Sequence, residues 1–339
     1  MYRMLTIIYI TFREHCRFEW FIEPLLKSIA DNVSIPIQIV VVDGYLYECS
    51  HLDQTARRDY FASQVGSLEF LHVSPKPTKW QGAYRLTKEN FFAAANTRNT
   101  GACYAKYNYI AFIDDLGIIA PTWLSAVLAA MQRGEIHCGA YTKVDDMVYQ
   151  DTLHVGGHVT NGRDHRLNVY SDDVSPCPGQ HMYGSSFCLP KDVYFQLNGQ
   201  NEMHDSNGGE DYDFGIRLER AHHKVYYNKR MFIHESNTAF GADLHRTYIR
   251  CDPVVSEGEY TQLLREHQLK ENAVGRRDMS HFMLANAFYG PISVNPEFSL
   301  EEYNTSILRG DDIVNVFRKP TRADDVHFFT KKPISDGFE

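Results

Sequence analysis

Apolar residues in the first third of the chain fall into short blocks separated by amphipathic stretches. Leu5–Thr11 (LTIIYIT) is apolar and β-rich, which predicts a strand. Residues 20–29 space their bulky side chains at helical intervals and run into the polar pair Asp31–Asn32. Residues 37–42 (IQIVVV) form a continuous β-branched run, the pattern of a strand covered on both faces, and Asp43–Gly44 supplies its turn. Residues 91–106 read as a helix, and 109–113 (YIAFI) read as another buried strand stopped by Asp114–Asp115. After Pro121, the stretch TWLSAVLAAMQRG predicts a helix closed by Gly134. This alternation of strands and helices predicts an α/β fold with a doubly wound, mostly parallel sheet.

Residues 141–180 are polar, rich in Gly, His and Asp, and lack clear periodicity, so they are expected to form loops beside a site. Order returns with a short strand at 187–190, helices at 191–197 and 211–222, and a strand at 224–234. Beyond about residue 243 the character changes. Residues 256–271 and 278–288 have helical spacing, and the remainder carries prolines and charges without a strong pattern. The expected division is a catalytic domain over 1–243 and a mainly helical and irregular extension over 244–339. No internal repeat or low-complexity tract interrupts it.

Composition narrows the class. The chain has 339 residues, 43% hydrophobic and 23% charged, the balance of an ordinary globular protein. A net charge of -9 argues against tight, sequence-independent nucleic-acid binding, which needs a basic footprint. Seven scattered cysteines without a CxxC pair fit free thiols in a reducing compartment. No apolar run approaches the roughly 20 residues that span a bilayer. The N-terminal segment reads as a strand, not as a leader. A cytoplasmic protein is expected, with any membrane contact peripheral and no integral membrane segment.

Four clusters could carry chemistry. Asp114–Asp115 lies beyond a strand end, where open α/β sheets bind ligands, and could hold a divalent cation and a pyrophosphate. The pair would equally serve as a polar strand terminator. Gly208–Gly209–Glu210–Asp211–Tyr212–Asp213 sets two glycines before acidic residues that open a helix. Capping accounts for the acids but less well for the glycines. His234, in MFIHES at a strand end, is either structural or a ligand sharing a metal with Asp115. Arg98, in RNTG, is either a phosphate or ribose contact or part of an exposed helix face. His154, His158 and His165 suggest zinc less than a loop near an acceptor, because two glycines spoil helical placement and no cysteine is suitably spaced. Trp80 is either a sugar-stacking platform or a core anchor.

In this order, the segments resemble the GT-A glycosyltransferases, and within them the large family-2 group. The likeness runs from TFRE after the first strand through VVVDG, AAANTRNTGACYAKYNYIAFIDD, PTWLSAVLAAM and LNGQNE to GGEDYDFGIRL. The last segment is also similar to the Gly-Gly-Glu-Asp-Asp segment of β-1,4-galactosyltransferases. The resemblance covers about residues 3–240. It implies that Asp43 meets the base or ribose of a nucleotide-sugar donor, with Thr11 and Arg13 in the same pocket and Arg98 facing the donor. Asp114 would approach the ribose or sugar, and Asp115 and His234 would hold Mn2+ or Mg2+. Asp211 would be the general base and Glu210 would help to bind acceptor or sugar, with Trp80, Gly208 and Gly209 beside the acceptor. Leu116 stands where the family often has a third acidic or polar residue. UDP is the nucleotide implied, and the acceptor could be a glycan, glycolipid, protein or modified nucleobase. A single base opposite the leaving group implies inversion. Two rivals remain: a sugar nucleotidylyltransferase, against which TFREHCRF lacks a glycine-rich loop, and a non-catalytic carbohydrate-binding relative, which Leu116 would suit.

Overall fold

The computed structural model describes residues 4–32, 35–47, 51–75, 89–91, 93–149, 155–158, 164–202, 205, 209–236 and 248–250. An interior strand of the sheet is β1 (Leu5–Thr11), all seven of whose residues are buried. Its side chains divide by alternation, as the period of a strand requires. Ile8 and Ile10 join one core cluster, while Leu5, Ile7 and Tyr9 join the other. Helix α1 (Phe18–Asn32) returns the chain to β2 (Ile37–Asp43), which lies parallel to β1. A short 3-10 turn (Gly44–Tyr47) and α2 (His51–Ala62) lead to β3 (Glu69–Val73), parallel to β2. After β4 (Glu89–Phe91), helix α3 (Ala94–Tyr104) crosses to β5 (Tyr109–Asp114), parallel to β1 on its other side.

The second half of the sheet mixes directions. It comprises β6 (Gly117–Ile119), β7 (Ile136–Tyr149), β8 (Val155–His158), β9 (Val174–Cys177), β10 (Ser186–Pro190) and β11 (Val225–Ser236). The main path runs β3-β2-β1-β5-β10-β7-β11-β6, with β8 on β7 and β9 on β11. Strand β10 is antiparallel to both neighbours, β7 and β11 are parallel, and β6 runs against β11. Helices α4 (Trp123–Arg133), α5 (Arg166–Val169), α6 (Lys191–Gln196) and α7 (Glu210–Arg220) connect these strands. Strand β12 (Tyr248–Arg250) pairs with β4 in a separate two-stranded sheet.

Both faces are covered. Phe18, Phe21, Ile22 and Leu25 of α1 pack with Trp123, Leu124 and Val127 of α4 on one side. Ala102 of α3, Tyr194 and Phe195 of α6, and Phe214 and Leu218 of α7 cover the other. Helix α3 sits close over β1 and β2. A Cβ on Gly101 would collide with the Ile8 and Val42 side chains, so only glycine permits this approach.

The expected loop at 141–180 is not what the chain forms. Residues 141–149 extend β7, and Val144 and Met147 are buried against Trp20 and Ile118. The segment's polar composition hid a strand whose burial is intermittent. The expected helix at 91–106 starts later, because Phe91 belongs to β4. The helices expected at 256–271 and 278–288 lie outside the described residues.

Parallel register sets the site. Thr11 lies opposite Asp43, and Ile10 opposite Asp114, so the carboxyl ends of β1, β2 and β5 form one rim. The end of β11 reaches it through β6: Glu235 pairs with Gly117, and the Ser236 N–H donates to the Leu116 carbonyl at 3.0 Å.

Candidate active site

Asp43 ends β2 with a fully buried carboxylate. Burying a charge is costly unless partners surround it, and here they do. Arg57 of α2 grips both oxygens, His72 of β3 places Nε2 3.0 Å from Oδ2, and the Tyr45 N–H donates to Oδ1 at 3.0 Å. Arg57 also donates to the carbonyls of Arg13 and Glu14, and its guanidinium lies 4.8 Å from the Tyr45 ring. One arginine thereby locks the β1 loop to the β2 carboxylate. Beside it, the Thr11 hydroxyl donates to Asp115 Oδ2 at 2.7 Å and accepts the Arg13 N–H at 3.2 Å. The Arg13 guanidinium stands 3.8 Å from the same carboxylate. Burial pushes Asp115 above its usual value, opposed by Arg13 and the Thr11 hydrogen bond.

Asp114 belongs to a second group, organised by Arg98. Arg98 is 2% exposed, with Nη2 2.7 Å from Asp114 and Nη1 2.8 Å from Glu210. The same nitrogens also donate to the Gly184 carbonyl and the Gln200 side chain, each at 3.2 Å. Burial works against its charge, but Asp114, Glu210 and Asp211 outweigh it and keep the guanidinium protonated. This corrects the exposed-helix reading of Arg98: the side chain is buried and clamps two carboxylates. The neighbouring Asn99 ties α3 to residues 200–202, bonding the Gln200 carbonyl at 2.9 Å and Glu202 at 2.7 Å.

Gly209 enters α7 in the left-handed region, at φ 94°, which a side chain would strain. Glu210 then faces Arg98, while Asp211 turns to the loop before β10. The Gly184 N–H donates to Asp211 Oδ2 at 2.6 Å, and the Tyr212 N–H donates to Oδ1 at 2.7 Å. Burial and the charge of Glu210 push the Asp211 carboxyl up to about 6, against the pull of Arg98 and the two N–H groups. A half-buried carboxylate poised near neutrality, on a fixed helix end, can accept a proton from a bound hydroxyl.

At Leu116, with φ 57°, the chain bends between Asp115 and β6. His234 of β11 lies 4.9 Å from the Phe232 ring, and burial lowers its pKa, so it is a neutral imidazole. Its Nδ1 is buried without a hydrogen-bond partner among the described residues, as suits a nitrogen reserved for a ligand. Next to it, burial pushes Glu235 up to about 7, opposed by Lys143 at 3.9 Å and reinforced by Asp114. Among the described residues no group of three or more His, Cys, Asp or Glu gathers as a metal cage. A cation would therefore depend on a ligand's phosphates and water for much of its shell, which Mg2+ and Mn2+ allow.

The structure thus joins two groups through the Asp114–Asp115 peptide: Asp43, Thr11, Arg13 and Asp115 on one side, and Arg98, Glu210 and Asp211 on the other. Trp80, Gly208 and His154 lie outside the described residues, and His165 stands 6.0 Å from the Tyr183 ring. Sequence reasoning missed Arg57, His72, Gly184 and Glu235. Glu235 stood beside His234 at a recognised strand end and could have been found. Arg57 and His72 lie in α2 and β3, which no apolar pattern announced, and Gly184 acts through its backbone.

Residues 64–189 match the family model described as Glycosyl transferase family 2. No curated protein matches the sequence. Among solved structures, the chain is similar to GalNAc-T7 with UDP, GalNAc and Mn2+, at 11% identity and a TM-score of 0.47. That likeness covers 69% of this chain and 44% of the other, so the chain spans less than half the length of that relative. It is also similar to S. aureus TarS 1-349 in complex with UDP, at 13% identity and a TM-score of 0.42, over 84% of this chain and 72% of the other. Among the described residues no helix is long and apolar enough to cross a membrane. The family match runs through β5 and the Asp114–Asp115 pair that follows it, on the rim formed by the carboxyl ends of β1, β2 and β5.

Proposed function

We propose that the chain transfers a sugar from a UDP-sugar to an acceptor hydroxyl, inverting the anomeric carbon, with dependence on Mn2+ or Mg2+. The observation that carries this reading is Asp211, held by two backbone N–H groups with its carboxyl raised to about 6. Above that pH the carboxylate is ionised and can take the acceptor's proton. As it does so, the acceptor oxygen bonds to the anomeric carbon, and the bond from that carbon to the diphosphate oxygen breaks. Its electron pair leaves with UDP. One base and one displacement give inversion.

The other residues position the reactants. Asp43, fixed by Arg57 and His72, would meet the base or ribose, with Thr11 and Arg13 lining that pocket. Asp114, oriented by Arg98, would approach the ribose or sugar, and Glu210 is held beside the base by the same arginine. Gly208 and Gly209 would border the acceptor. A divalent cation would be held by Asp115 and His234 and would neutralise charge developing on the diphosphate. Residues 1–243 form the catalytic unit in this reading, with 244–339 an extension to it. The acceptor hydroxyl belongs to a glycan, glycolipid, protein or modified nucleobase.

The decisive variant is Asp211→Asn. Transfer should fall by about 10²–10⁴-fold, the range for removal of a general base, while UDP-sugar affinity stays within a few-fold. Single-turnover kinetics and calorimetry read the two separately. A matching loss of affinity would remove Asp211 from the base role.

A further inference from the structure

Next to the Asp211 anchor lies an aromatic pair that the mechanism does not use. Tyr183 directly precedes Gly184, whose N–H holds the Asp211 carboxylate. Its ring centre is 6.2 Å from that of Tyr141, inclined at 60°, and 6.0 Å from the exposed ring of His165. Both tyrosines are half-buried. Neither phenol has a hydrogen-bond partner among the described residues.

The pair is also rigidly backed. The Arg166 guanidinium lies 4.1 Å from the Tyr183 ring and 4.6 Å from the Tyr227 ring. Arg166 is itself immobilised by both oxygens of Asp164 at 2.8 Å and by the Gly139 carbonyl at 2.8 Å. Arg166 and Asp164 are each 0% exposed. Burying an ion pair is costly, so one spent on pinning a half-exposed ring calls for a reason beyond stability. Burial raises both phenols, with the charges of Asp164 and then Asp211 adding to the rise at Tyr183 and those of Asp164 and then Glu235 at Tyr141, while Arg166 opposes it at both.

We propose that Tyr141 and Tyr183 form the acceptor subsite, and that the acceptor is a carbohydrate whose pyranose ring packs on them while one hydroxyl reaches Asp211. A flat ring beside a base suits a sugar because the apolar C–H face finds an apolar surface while the equatorial hydroxyls stay wet. The phenol oxygens remain available to bond those hydroxyls. This assignment rests on the transferase reading and narrows its acceptor class.

Saturation-transfer NMR on the full chain with UDP and diamagnetic Mg2+ tests it. The probes are methyl β-glucoside, methyl β-galactoside and methyl N-acetyl-β-glucosaminide, with adenosine and a serine-rich peptide as non-sugar comparisons. At least one methyl glycoside should show transfer to its ring C–H protons. That signal should drop at least fivefold in Tyr183→Leu and in Tyr141→Leu, which keep apolar bulk but lose the ring, and persist in Tyr183→Phe. Equal signals in the leucine variants, absence of signal from every glycoside, or signal from the peptide or adenosine alone would overturn the assignment. UDP binding by the wild-type chain is read in the same samples. Its absence would bring down the transferase reading itself, and a positive UDP signal with unaltered glycoside signals would bring down only the subsite.

Discussion

Asp211 illustrates how the proposed role of a base opposes stability at a single residue. Its carboxyl titrates at about 6 in the fold, above the ordinary 3.8, because burial and Glu210 disfavour its charge. The native state therefore binds this proton more tightly than the unfolded chain does. By linkage, the contribution to stability is complete below about pH 4 and is lost as pH rises through 6. At pH 8 the ionised carboxylate weighs against the fold. Asp211→Asn should raise the melting temperature at pH 8 by a few degrees and change it little at pH 4, as scanning calorimetry would show. A lower melting temperature at pH 8 would mean that the two N–H bonds to the carboxylate outweigh its burial. In the wild type, transfer should rise with pH through about 6 and then level off. The cluster holding this aspartate was readable from its glycines and acids. The Gly184 amide that aims it was not, because a backbone donor leaves no trace in residue type.

At the scale of elements, α3 is a polar helix inside the protein. Asn96, Thr97, Arg98, Asn99 and Thr100 are all buried, so propensity and amphipathic pattern could not reveal which way it faces. Its partners come from residues 200–202 and from α7, remote in sequence, and only the fold shows that they satisfy it. Arg98→Met should cost about 3–5 kcal/mol in urea denaturation, because Asp114 and Glu210 would be left without their counter-charge. It should also move the acidic limb of the transfer profile upward, since Arg98 holds the Asp211 value down. Gly101→Ala should cost about 1–3 kcal/mol by pushing α3 off β1 and β2, with unchanged pH dependence. Strands β1, β2 and β5 were legible for the opposite reason. Buried on both faces, they are apolar at nearly every position, whereas α2, over its described side chains at 53–62, places only Phe61 in the core among much polar surface.

For the whole molecule, the rim joins two chemically distinct halves. The Asp43 side is held by the Arg57 guanidinium and the His72 ring, and the Asp211 side is kept poised by Arg98. A nucleotide-sugar spanning both would bind the folded chain and not the unfolded one, so it should stabilise by RT ln(1 + [L]/Kd), or about 2.7 kcal/mol at a hundredfold excess over Kd. In the proposed reading the cation is held by Asp115 and His234 and not by the Asp211 side. UDP should therefore raise the melting temperature modestly without metal and further with Mn2+, and EDTA should remove only the second increment. Asp115→Ala should abolish the Mn2+ increment while keeping part of the UDP effect, because Asp43 and Thr11 remain. Asp211→Asn should keep both, since the Asp211 carboxylate is held by the Gly184 and Tyr212 N–H groups and the proposal gives it no part in binding the diphosphate. If Asp115→Ala preserved the Mn2+ increment in a melt of the full chain, the cation would be held elsewhere, and the division of labour between the two halves would have to be redrawn.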